Sequence, residues 1–446
     1  MKDELLVAHF HGVTGIGTAL ETDHIIRILG EIVHYLGFTF VTPLGAYNDT
    51  IWHDLNPFYK PLSKRGKVAK PYLFPMRIPF LDLYATNQRH ERSFFRKLRI
   101  LYQKSAFVGG PWLESFEREF AQSTGSPHCV AVSSGTTALH LSLIAAGVGT
   151  GDEVILPAFT FPGTGWGVVY QGAKPVFADV RLQDGCLDPD DVARKITRRT
   201  KAIIAVHLFG HPAQMDALKD IARKRRIALI EDAAQAHGGS YHGHALGSIG
   251  DFGCFSFYPT KNLGGLGDGG AILVKRKSFA DRLRRLRDHG QQKRFFPEEI
   301  GYNARMDAMQ ALFLRLKLKS LLPENKRREE IALRYLKALE NKPSVIPLTP
   351  VGDHSSQSAW HAFVVRAKQR PDFLRFLEAE GIGNQVYYPA TLPSLKPFRT
   401  FAKGRYPVAD ELARSCVALP LHPGLKEAEI GKVVKALESF KSPRRK

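Results

Sequence analysis

From Ile78 onward the chain alternates short, strongly apolar runs with longer stretches whose apolar residues recur at helical spacing. The runs "HCVAVSS", "EVILP", "KPVFADV", "KAIIAVHLFG" and "IALIEDA" lack a polar face, as strands covered on both sides require. Helical periodicity covers Glu91–Gln103, Trp112–Ser123 and Thr136–Ala146. Strands separated by helices predict an α/β fold, with a mostly parallel sheet between helices, over residues 78–325. A long helical pattern follows Tyr302 and runs to about Leu322. Beyond it, "AWHAFVVRA", "RPDFLRFLEAEGI" and "EAEIGKVVKALESF" mix both periodicities, so residues 326–446 are expected to form a smaller α+β domain. Residues 1–77 read as an N-terminal extension: a strand-like "LLVAHF", a glycine turn, a helix-like "TDHIIRILGEIVHYLG" and a Pro/Lys-rich linker. The glycine turn lacks the downstream acid that a dinucleotide ribose needs, and no function is read from it.

Composition narrows the picture. The 446 residues hold no apolar run near the roughly 18 needed to cross a membrane. The start, "MKDELLVAHF", carries acidic residues where a secretory signal carries positive charge, so a cytoplasmic protein is expected. Cys129, Cys186, Cys254 and Cys416 are scattered, without a CxxC or a zinc-like His/Cys cluster, and no metal is expected. The formal charge of +20 favours an anionic partner: nucleic acid, anionic lipid or a phosphorylated substrate. Its clusters, at Lys224–Arg226, Arg282–Arg287, Lys326–Arg328 and the tail "KSPRRK", fall on helix-like stretches or ends, and solvated helix faces are the simplest reading. They lack the interleaved aromatics of a base-stacking surface.

The chemistry gathers around "SFYPTKNLGGLGDGGAIL", where Lys261 has no other Lys or Arg within ten residues on either side. Ser256 precedes it, and Asn262 and Gly264 follow. Elsewhere, "VAVSSGTTALHLSL" runs from a strand through Ser133, Ser134, Gly135 and Thr136 into an apolar helix, a pattern that makes either an ordinary N-cap or a phosphate cup. "ALIEDAAQAHGG" ends a buried strand in Glu231 and Asp232, then supplies Gln235 and His237. A carboxylate there faces the crevice where α/β proteins bind ligands, or caps a helix. "PAFTFPGTGW" brings Phe159 and Phe161 to the same edge. An amine, a carboxylate, a phosphate cup and an aromatic plate together match pyridoxal phosphate. That cofactor needs a lysine for covalent attachment, an acid at its ring nitrogen, a phosphate anchor and a surface against the ring.

The ordered set "SSGTTALHL", "PAFTF", "VHLFGHPAQMDAL", "EDAAQAHGG", "GDFGCFSFYPTKNLGGLGDGGA" and "GYNARMDAMQA" resembles the DegT/DnrJ/StrS family of pyridoxal-phosphate sugar aminotransferases. The similarity extends from about Ile78 to residue 425. It implies the fold type I transferase architecture and a homodimer with shared sites. It further implies transfer of an amino group, with glutamate as the donor, to a nucleotide-linked keto-sugar. By this resemblance Lys261 holds the cofactor and moves the proton, Asp232 pairs with the ring nitrogen, and Gln235 contacts the ring hydroxyl. Gly135, Thr136 and Ser256 bind phosphate, Phe161 stacks on the ring, and Asn303 serves the neighbouring subunit. Some relatives carry histidine at the lysine position and act as sugar dehydratases; Lys261 favours transamination. A regulatory or nucleic-acid-binding protein on the same scaffold is the alternative from another class, and the retained cofactor contacts argue against it. One departure is Pro393 in "YYPATLPSLKPF", where the family's substrate stretch carries histidine.

Overall fold

The computed structural model describes residues 77–351 and 355–441, and the readings made on the N-terminal extension fall outside them. Numbering the strands of the two main sheets in chain order, the larger sheet consists of β1 (His128–Val132), β2 (Glu153–Pro157), β3 (Lys174–Ala178), β4 (Thr200–Val206), β5 (Ala228–Asp232), β6 (Phe252–Ser256) and β7 (Gly270–Val274). Their spatial order is β1-β7-β6-β5-β4-β2-β3. Strands β3, β2, β4, β5 and β6 pair in parallel, whereas β7 lies antiparallel to both β6 and β1. β2 and β7 are buried along their whole length. Because successive side chains point to opposite faces, that pattern means both faces are covered.

The five apolar runs become β1 to β5. The other two strands, β6 and β7, flank Lys261 and were not expected: glycines and a cysteine dilute their β-branched content. The helical pattern expected to continue past Tyr302 divides into Ala308–Leu318 and Leu321–Leu339. Pro323 sits in the first turn of the second helix, where its missing N–H costs nothing, and it cannot lie inside an unbroken helix without losing a bond.

A smaller antiparallel sheet has the order β8 (Val345–Pro347), β9 (Phe363–Ala367), β10 (Cys416–Leu419). Its core gathers Ile331 and Tyr335 from the long helix with Phe363, Val365, Phe373 and Val433. The larger core draws on residues spread along the chain from Leu113 to Ala418. The basic clusters divide. Arg282 and Arg285 pair with Glu299, and Arg287 with Glu117. Arg328 is not solvated: it is buried and donates to the Leu421 carbonyl at 2.7 Å. Its neighbours on the helix meet the second core, so that turn faces inward. All four cysteines are buried and free. Among the described residues, no helix is long and apolar enough to cross a membrane, and no His/Cys/Asp/Glu group is placed to hold a metal ion.

The helix Gly110–Thr124 lays Phe116 and Phe120 edge-on against Phe255 and Phe257, with ring centroids 5.0–5.4 Å apart. These edge-on contacts lie directly under the Lys261 segment. Phe120→Ala is expected to destabilise the fold by about 3–5 kcal/mol. Urea unfolding checks this: the midpoint should fall without a change of slope.

Candidate active site

Strand register places the chemistry on one edge. Val132 and Ser256 both pair with Gly270, while Asp232 pairs with Cys254 and Val206. The C-terminal ends of β1, β5 and β6 therefore meet there, as the crevice rule for α/β sheets requires. At the end of β1, Ser134 caps the helix Gly135–Ala145: its Oγ accepts from the Thr137 amide at 3.1 Å. The amides of Gly135 and Thr136 have no acceptor within the helix, which leaves them for an anion. The helix start lies hard against β6. A Cβ at Gly135 would stand 2.7 Å from the Ser256 Cβ, so only glycine fits there. Thr136 and Phe161 meet around Gly163, where an added Cβ would be 3.0 Å from each.

Lys261 rides on a loop that leaves β6 and returns into β7. Phe257 closes its base: its amide donates to Gly269 O, and its carbonyl accepts from the Gly265 amide, both at 2.7 Å. Gln310 accepts from the Leu266 amide at 2.8 Å. Gly264 permits the tight return, since a Cβ there would lie 2.2 Å from the Pro259 carbonyl oxygen. The glycines surrounding the lysine thus serve close backbone packing, and the lysine is the reactive group they carry.

Asp232 is buried. Its Oδ2 accepts from Thr164 Oγ1 at 2.8 Å and its Oδ1 from the Ala234 amide at 3.2 Å. Burial raises its carboxyl above the ordinary value, and the Thr164 hydroxyl, the Ala234 amide and the Lys261 charge pull it only partly back. Burial lowers the Lys261 amine from 10.5 to about 8, against the opposing pull of Asp232. Gln235 accepts from the Phe209 amide at 2.6 Å and donates to the Tyr388 hydroxyl at 3.0 Å. Tyr388 sits among Phe159, Phe161 and Phe209, with centroids 6.0–6.4 Å away. Burial pushes its phenol up, so it stays protonated.

The structure therefore brings together Gly135, Thr136, Phe161, Asp232, Gln235, Ser256 and Lys261. Asn303 stands apart. Its backbone neighbours the cup, because Ala304 O accepts from the Ser133 amide at 2.9 Å, but its side chain is exposed and forms no hydrogen bond among the described residues. Pro393 is buried beside Leu392, whose amide donates to Ala158 O at 2.8 Å. Sequence reasoning missed Thr164 and Tyr388, although both lie in stretches it quoted. A hydroxyl at the start of "TGW" carries no motif of its own, and its partner is 68 residues away. Glu231 turns to the other face of β5, where it accepts from His207 Nε2 at 2.9 Å and from the amides of Gly247, Ile249 and Gly250 at 2.7–2.8 Å. Burial raises its carboxyl, but those donors outweigh it and hold the group below the ordinary value.

This donor set fits pyridoxal phosphate. Asp232 forms no ion pair with Arg or His among the described residues, so a cationic ring nitrogen would complete it, and the free helix amides suit a phosphate. Comparison with known proteins agrees: residues 88–438 match the model of one aminotransferase family. The chain belongs to the DegT/DnrJ/EryC1/StrS aminotransferase family. As a member it is a pyridoxal-phosphate transaminase. It is 40% identical, over 82% of its length and 100% of the relative's, to the erythromycin biosynthesis sensory transduction protein EryC1 of Saccharopolyspora erythraea. It is 38% identical, over 82% of this chain and 96% of the relative, to the dTDP-3-amino-3,4,6-trideoxy-alpha-D-glucose transaminase of Streptomyces venezuelae. Among solved family structures, S. venezuelae DesV superposes with a TM-score of 0.79 at 38% identity, covering 81% of this chain and 98% of that one.

The amine shift has a direct readout. In the cofactor-free protein, acylation of Lys261 should titrate with a midpoint of about 8, well below that of exposed lysines. A folded pKa below the unfolded one means that the folded chain binds fewer protons between about 8 and 10.5. This group's contribution to stability therefore grows as pH rises through that window. Lys261→Met should remove that slope when unfolding is followed from pH 7.5 to 10.

Proposed function

We propose that this transaminase moves an amino group from glutamate to a nucleotide-linked keto-sugar in amino-sugar or polysaccharide biosynthesis, as a cytoplasmic homodimer. The observation that carries the reading is the buried carboxylate of Asp232, which no arginine among the described residues neutralises, set within electrostatic reach of the amine of Lys261. The named relatives support the substrate class. One acts on a dTDP-linked amino sugar, and a second, from Acidithiobacillus ferrooxidans, is a UDP-N-acetyl-3-dehydro-alpha-D-glucosamine 3-aminotransferase 38% identical to this chain. A diphosphate-bearing substrate also gives the charge of +20 a use, as a field that attracts anions to the cleft.

Residues 78–325 form the cofactor-binding domain in this reading, and residues 326–446 the smaller domain. When bound, pyridoxal phosphate supplies a carbonyl-type carbon for the amino group and a ring that withdraws electrons. Lys261 attaches it and carries the proton to and from the substrate carbon. An amine that titrates near 8 serves both as nucleophile and as acid around neutral pH. Asp232, oriented by Thr164, holds a proton on the ring nitrogen. Gln235 contacts the ring hydroxyl, Phe161 covers the ring face, and Gly135, Thr136 and Ser256 bind the phosphate. Asn303, exposed in its own chain, reaches the phosphate of the partner's site. The buried, apolar Pro393 removes one polar contact from the sugar's surroundings.

Borohydride reduction of the yellow holoenzyme should fix the cofactor on Lys261; a label mapped to another lysine defeats the assignment. Asp232→Asn should slow the half-reaction with glutamate by about 100-fold or more while the cofactor stays bound, as rapid-mixing spectra would show.

Shared sites have their own test. Lys261→Ala and Asn303→Ala chains, each inactive alone, are refolded together. Half of the dimers are then mixed, and in each mixed dimer one site carries both lesions and the other neither. Activity should recover to about a quarter of wild type. Absence of recovery places Asn303 in its own chain's site.

A further inference from the structure

Asn262, next to Lys261, is buried and has no task in the reading above. Its amide is saturated. Nδ2 donates to Asn325 Oδ1 at 2.9 Å and to Ala359 O at 2.7 Å, while Oδ1 lies 3.1 Å from His361 Nδ1. Asn325 in turn donates from Nδ2 to His237 O at 2.7 Å. Donor and acceptor roles in this chain are forced. The carbonyls of Ala359 and His237 can only accept, so neither asparagine can be flipped. Asn262 Oδ1 must then accept, and the proton on His361 resides at Nδ1.

These bonds join four segments at the residue after the amine: the turn beyond β5, the Lys261 loop, the helix Leu321–Leu339 and the segment leading into β9. A fully bonded buried amide network has one low-energy arrangement, and that arrangement fixes the backbone on which Lys261 stands.

The geometry points to Asn262 as a positioning residue for Lys261: its amide, bonded to the Ala359 carbonyl and to the Asn325 side chain, fixes the chain beside the amine and holds His361 as the Nδ1–H tautomer. This rests on Lys261 being the reactive lysine of the proposed function. The His361 ring, held well below its ordinary value by burial and by the Lys261 and Arg328 charges, stays neutral. The amine is thereby spared a further cation. Its other charged or titratable neighbours are Asp232 and His237, with Lys317 beyond His237. Burial drives His237 down to about 3, so it too is neutral.

The test reads Lys261 directly in the cofactor-free protein, by peptide mass spectrometry of acylation against pH. Asn262→Asp keeps the acceptor for His361 but loses both donors, and it adds a negative charge that favours an imidazolium. The Lys261 midpoint should move from about 8 by about one pH unit or more, which changes its reactivity at neutral pH about tenfold. His361→Asn retains a donor at the Nδ1 position and should keep the wild-type midpoint; His361→Gln, whose amide falls at the Nε2 position, should not. A wild-type midpoint in Asn262→Asp, with only thermal stability lowered, overturns the proposal. So does identical behaviour of His361→Asn and His361→Gln, a comparison that decides the matter even where Asn262→Asp does not fold. If the borohydride label maps to another lysine, the proposed function fails while the effect of Asn262 on the Lys261 titration is still measured.

Discussion

Gly270 is flanked on both sides, standing opposite Val132 of β1 and opposite Ser256 of β6. The chain that leaves β6 must therefore come back one strand away, and the segment between is a closed excursion over the sheet edge. Phe257 anchors the excursion in the aromatic cluster and pins both of its ends through backbone bonds. Everything chemical is placed relative to that closure. The helix cup follows because β1 ends beside Gly270, and Asp232 follows because β5 ends beside β6. The amine rises from the loop itself.

Within this frame burial acts on the two charged groups in opposite senses and for the same reason. It disfavours the ammonium of Lys261 and the carboxylate of Asp232 alike, while each charge partly restrains the shift of the other. Thr164 and the Ala234 amide supply the donors that keep the carboxylate usable. Asn262 and Asn325 perform the corresponding task for the amine through the backbone, without touching it.

Much of this was legible in the chain because it is local. The five apolar runs became β1 to β5, and "SSGTTALHL" became a strand end and a capped helix, since strand burial and N-capping are written into adjacent residues. The loop around Lys261 read correctly as a place of close backbone approach. β6 and β7 were not legible because their burial comes from neighbours far along the chain, and their composition is that of a turn region. Thr164, Tyr388 and the Asn262 network share that origin: each acts through a partner between 63 and 153 residues away, and no periodicity records such a pairing. Asn303 is legible only as a residue whose side chain this chain leaves exposed.

Consecutive acids at the end of β5 serve opposite faces. Asp232 looks to the cleft, and Glu231 fastens His207 and the turn at Gly247–Gly250, which feeds β6. Since neighbouring strand residues alternate sides, a slip of one position would carry one carboxylate to the other's face and bring an apolar residue into the place it left. Slipped one way, Ile230 would leave the three amides without an acceptor; slipped the other, Ala233 would empty the cleft. The dipeptide therefore acts as a proofreading mark for the alignment of the central strand. Among the strands of this sheet, β5 is the one in which a single inserted or deleted residue would be least tolerated, whatever its side chain.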